Sequence, residues 1–110
     1  MIHAQGHVPT PEAGRWLKRL CHHFSRKIAV RYDERAGRAE FPWGVCEMRA
    51  EGDALHFACA AASPEALARV RAAIDAHVAL FSRKHPLAVR WHAGVDAPGE
   101  SVFFQPRMDP

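Results

Sequence analysis

Two short segments of the same design, Thr10-Pro11-Glu12-Ala13 and Ser63-Pro64-Glu65-Ala66, bracket a stretch whose apolar residues recur at every second position. Each supplies a hydroxyl for a helix N-cap, a proline at the first helical position and an acid in the first turn. After the first, Trp16, Leu17, Leu20, Cys21 and Phe24 recur at three- and four-residue steps, with Arg15, Lys18, Arg19, His22 and Arg26 outside the stripe. After the second, Leu67, Val70, Ile74, His77, Val78 and Phe81 form the stripe, and Pro86 blocks continuation, so a helix over about 64–84 is predicted.

Between the helices the period drops to two. Ile28, Val30 and Tyr32 alternate with Ala29 and Arg31, and the turn Asp33 to Gly37 leads into strands over 38–41, 45–50 and 54–60, the last two joined by Glu51-Gly52-Asp53. Leu87 to His92 alternates as a further strand, and Ile2 to Val8 reads as another. The order β-α-β-β-β-β-α-β predicts an α+β two-layer sandwich, an antiparallel sheet with two helices packed on one face. One domain over 1–92 is expected, because a chain of 110 residues is close to the usual single-domain size and buries roughly 65% of its unfolded surface. After His92 the composition turns to Gly and Pro around an island at Val102-Phe103-Phe104, which reads as a tail over 93–110, either an edge strand or a disordered end.

Three cysteines, odd in number and each in an apolar segment, predict reduced thiols and a cytoplasmic location. No apolar run approaches 18 residues and the N-terminus has no secretory pattern, so a membrane role is not expected. A net charge of +3 is spread along the chain among Asp and Glu, which permits polyanions and demands none.

Strand parity organises the candidate site residues. If Leu55, Phe57 and Cys59 face the helices, His56 faces away, and Leu87, Val89 and Trp91 inward place Arg90 and His92 outward. Arg31, Arg49, His3, His7 and Glu47 join them. An open face rich in His and Arg suits an anion, a subunit or a partner strand, and Arg31, Arg49, His56, Arg90 and His92 are the expected ligand-binding set. A homo-oligomer or a protein partner is the expected assembly. Nucleic acid is not expected, because that face lacks the interleaved aromatics that stack bases.

A second reading uses soft and borderline ligands. Cys21-His22-His23 diverge by about 100° per residue on a helix, so at most one or two can share a metal. His77 lies on an apolar stripe and needs a partner, either a backbone carbonyl or water, or a site in which Cys21, His23, Cys46 and His77 converge beneath the sheet. Hydrolase elbows, phosphate-binding glycine loops, His-Glu-x-x-His and Cys-x-x-Cys are absent, so catalysis would fall to Cys21, His23, His77 or Glu40, and a non-catalytic domain is the leading expectation. The residues name no cofactor.

The segments Leu20-Cys21-His22-His23-Phe24 and Phe41-Pro42-Trp43-Gly44-Val45-Cys46 resemble the Leu-Cys-x-His-Phe and Phe-x-x-Gly-x-Cys segments of DUF2218, a bacterial family of unknown function, and His77-Val78-Ala79-Leu80-Phe81 is similar to its His-Leu-x-x-Phe helix end. The resemblance runs from about Val8 to Trp91. A His often found after the first segment is Arg26 here, which weakens a metal cluster. Some relatives occur beside or fused to siderophore-interacting flavoproteins, which implies an iron-related context.

Overall fold

In the computed structural model, which describes residues 1–92, six strands form one antiparallel sheet of order β2-β3-β4-β5-β1-β6. The strands are β1 (Ile2–Pro9), β2 (Ala29–Tyr32), β3 (Ala36–Phe41), β4 (Gly44–Glu51), β5 (Ala54–Ala61) and β6 (Arg90–Trp91). Helix α1 (Ala13–Phe24) packs on β2 to β5 and α2 (Pro64–Phe81) on β1, β4 and β5. The expected α+β order and the antiparallel sheet are what the chain forms. The proposed tail over 93–110 lies outside the described residues.

Alternation decides which side each strand buries. On the helix side the register aligns Val30, Ala39, Cys46, Cys59 and Ala4 in one row, and Tyr32, Gly37, Met48, Phe57, Gly6 and Trp91 in the next. The first row is built of small side chains, which lets the helices approach closely. Leu17, Leu20 and Cys21 of α1 and Val70 and Ile74 of α2 then lose all contact with solvent above Phe57 and Met48. Burying five such side chains contributes on the order of 10 kcal/mol of transfer free energy, a gross term that chain entropy opposes.

Local chemistry moves several boundaries. Ser63 caps α2 as expected, its Oγ accepting from the Ala66 amide at 3.1 Å. Thr10, the expected cap of α1, is not one: its own amide donates to Asp53 O at 2.8 Å and its hydroxyl accepts from the Glu12 amide at 3.1 Å. The helix starts two residues later than that reading implies, with Glu12 at its N-cap and no side-chain cap. Helix α2 ends at Phe81 rather than near 84, because the Ser82 hydroxyl turns back to donate to Val78 O at 2.7 Å and accepts from the Leu87 amide at 2.9 Å. That bond also holds Leu87 off the sheet, so β6 pairs only over Arg90 and Trp91. Trp91 Nε1 anchors the strand by donating to Asp75 Oδ1 of α2 at 2.9 Å.

Geometry demands glycine in the β4–β5 pair at both Gly52 and Gly44. Gly52 holds φ +62 in the β4–β5 turn, a left-handed conformation that costs a residue with a Cβ. At Gly44 a Cβ would stand 2.4 Å from Ala60 O, so the backbones of β4 and β5 close only over a hydrogen.

Candidate functional site

The open face carries a cross-strand row that no single segment of the chain encodes. Register pairs Arg49 with His56, His56 with His7, and His7 with Arg90, so four strands present Arg, His, His, Arg in line. At the usual strand spacing the row runs roughly 14 Å. His92, just past β6, donates its amide to Gln5 O at 2.8 Å and brings Nε2 to 2.9 Å from His7 Nδ1. The His7 ring also lies 6.0 Å, centroid to centroid, from that of His56.

A contact between two imidazole nitrogens needs one proton and one lone pair. When both rings are doubly protonated it becomes a repulsion. The His7 pKa is accordingly lowered, first by partial burial and then by His92, His56 and Arg90. Adding protons to this row accumulates positive charge, which an anion or an acidic surface would relieve.

Arg31 does not join the row. It sits exposed on the edge strand β2, in register with Arg38 in the neighbouring row, where Arg38 already pairs with Glu47 at 2.8 Å and Glu40 at 3.5 Å. His7, which was not in the expected ligand set, is the row's centre. Parity marked it as outward, but only the insertion of β1 between β5 and β6 shows it as the common neighbour.

The helix side separates the four residues expected to converge on a metal. Cys21 and Cys46 point into the sulfur-rich core: Cys46 is opposite Cys59, and Cys21 Sγ lies 3.9 Å from Met48 Sδ. Burial pushes the Cys21 thiol up to about 12, and the Cys46 thiol is raised by burial and by Cys59. Thiols held protonated and out of solvent are poor ligands and poor nucleophiles. His23 and His77 instead meet in the seam between the helices, their rings 4.7 Å apart and edged by Phe24 and Phe81. His77 satisfies Nδ1 on Ala73 O at 2.7 Å, the backbone-carbonyl solution. The convergence of Cys21, His23, Cys46 and His77 is thus not formed, and among the described residues no three His, Cys, Asp or Glu side chains are gathered as a metal site.

The segments carrying the family resemblance acquire a structural reason. Phe41 packs edge-on against Phe24 at 5.2 Å, beside His23 and His77, and Gly44 and Cys46 seat β4 against β5 and the core. Fold and segments together define a two-layer open-sheet domain stapled by an aromatic and imidazole seam. The profile described as "Uncharacterized protein conserved in bacteria (DUF2218)" matches residues 5–92, and the chain belongs to that family. No functionally curated protein matches it. The NMR structure of PA4090 from Pseudomonas aeruginosa is similar in fold, with a TM-score of 0.73 at 24% identity, covering 88% of this chain and all of that one. No helix among the described residues is long and apolar enough to cross a membrane.

Proposed function

We propose that the chain is a small accessory binding domain whose open sheet face takes an anionic ligand or an acidic protein surface, with no catalytic step of its own. The observation that carries this reading is the Arg49–His56–His7–Arg90 row with His92 held against it. Two permanent cations at the ends and imidazoles between them offer donors in a line, and protonation of an imidazole adds positive charge toward an anion. The buried thiols, none in a disulfide, fit a reducing cytoplasmic compartment. Among the described residues β2 and β6 are the outer strands of the sheet, and an outer strand suits self-association or a partner strand.

The test is a titration with inorganic phosphate followed by the imidazole resonances. The expected result is saturable movement of the His7, His56 and His92 signals, tighter at pH 5.5 than at pH 7.5, and lost in the His7→Gln/Arg90→Gln double variant. Absence of movement up to tens of millimolar phosphate, together with a strict monomer by light scattering, sinks the reading.

A further inference from the structure

On the opposite side of the molecule, away from the sheet's open face, the start of α1 and the end of α2 enclose a cleft of about 690 Å³. That lies within the ~300–1,000 Å³ span of small-molecule sites. Its apolar lining comes from Trp16, Leu80, Phe81 and Leu87, and Leu80, in the last turn of α2, is 48% exposed. The charged lining is one-sided: Arg15, Arg19, Arg83 and Lys84, with His85 beside them, against the single acid Glu12. That acid is already met by Arg15 at 3.3 Å in an exposed pair.

The walls are built before any ligand arrives. The Thr10 amide bonds to Asp53 O and the Thr10 hydroxyl takes the Glu12 amide, which fixes the loop into α1. The Ser82 hydroxyl, bonded to both Val78 O and the Leu87 amide, fixes the loop out of α2. Across the opening, the Arg19 guanidinium lies over the Phe81 ring at 4.5 Å and stands 5.9 Å from that of Trp16. The ring contact places the guanidinium at the apolar floor of the cleft, where its N–H groups can meet a carboxylate. The first turn of α1, which carries no acidic side chain, adds the positive end of its dipole to the same opening.

We infer that this cleft binds a small amphipathic carboxylate, its apolar body against Trp16, Leu80 and Phe81 and its anionic head between Arg19 and Arg83. The charge complementarity selects the head, and the exposed Leu80 beside two aromatic rings selects the body. An acidic amphipathic peptide would need a longer groove than two facing loops provide.

Binding is read with anilinonaphthalene sulfonate as the fluorescent probe and decanoate or decylamine as competitor, on the full chain. One saturable site is expected, displaced by decanoate and not by decylamine, with amide shifts centred on Trp16, Leu80 and Phe81. The Arg19→Gln/Arg83→Gln variant should weaken decanoate at least about tenfold. The Arg26→Gln/Lys27→Gln variant removes the same charge from outside the cleft and should bind as the parent does. Both double variants should keep the parent's circular dichroism and melt close to the parent, since all four residues are exposed. Non-saturable fluorescence, displacement by decylamine as readily as by decanoate, equal weakening by the two double variants, or amide shifts centred elsewhere would each overturn the inference.

Discussion

Gly37→Ala tests the helix–sheet packing at its tightest point. Gly37 faces inward on β3 opposite Met48, and a Cβ built there lies 2.6 Å from Cys21 Sγ and 3.1 Å from Tyr32 Cβ. Non-bonded heavy atoms settle at roughly 3.5–4.0 Å, so about 1 Å must be found. Cys21 cannot yield it, being fully buried with its sulfur against Met48. Overpacking of this kind costs about 1–3 kcal/mol, offset by about 0.4–1 kcal/mol from the stiffer unfolded chain, leaving a net loss of about 1–2 kcal/mol. Cys21→Ala alone loses the buried sulfur and leaves a small void, a cost of about 1–2 kcal/mol. In the double variant the new methyl enters the space the sulfur vacates, so the two losses should fall short of additivity by about 1–2 kcal/mol. The Tyr32 contact persists, but it lies on an edge strand free to shift outward. Urea unfolding followed by circular dichroism and tryptophan fluorescence gives the four free energies of the cycle at a common slope. Additivity within about 0.5 kcal/mol would mean that α1 does not rest on β3 at this register, and the described packing would be wrong.

Acid should destabilise the fold. His7 is lowered by burial and by its His and Arg neighbours, and His23 by burial, then His77, Arg26, Lys27 and His22. Each therefore binds a proton more readily unfolded, near the ordinary 6.5, than folded, so stability is complete above that pH and declines as pH falls through the lowered values. The urea midpoint should drop between pH 7 and 5, with a shallower slope in His7→Gln and in His23→Gln; a midpoint that is flat or rises on acidification contradicts this. Thiol labelling should be far slower in native protein than in a free thiol and reach all three cysteines once urea unfolds the chain, whereas rapid native reaction at Cys21, Cys46 or Cys59 would place a thiol at the surface.

What the residues disclosed in advance followed from local rules. Alternation assigned the buried faces of β4 and β5, and the Ser63-Pro64 signal located α2, because in both cases the nearest neighbours along the chain determine the outcome. The same signal at Thr10 misled, since its amide is claimed by Asp53 on a distant turn. The run from Leu87 read as six residues of strand, yet Ser82 captures its first amide. The open-face site was visible only in pieces. Parity pointed His7, His56 and Arg90 outward, but their alignment depends on β1 lying between β5 and β6, and the His7–His92 contact joins residues 85 positions apart. The supposed metal set failed for a helical reason: Cys21 and His23 lie about 200° apart around α1, so one enters the core and the other the seam.

The bond from the His92 amide to Gln5 O joins the two residues at the limits of the family match. A domain sewn shut at its own seam can be spliced into a surface loop of a host protein, entering and leaving at one spot without prying the host apart. Such a module is portable in the way a cassette is.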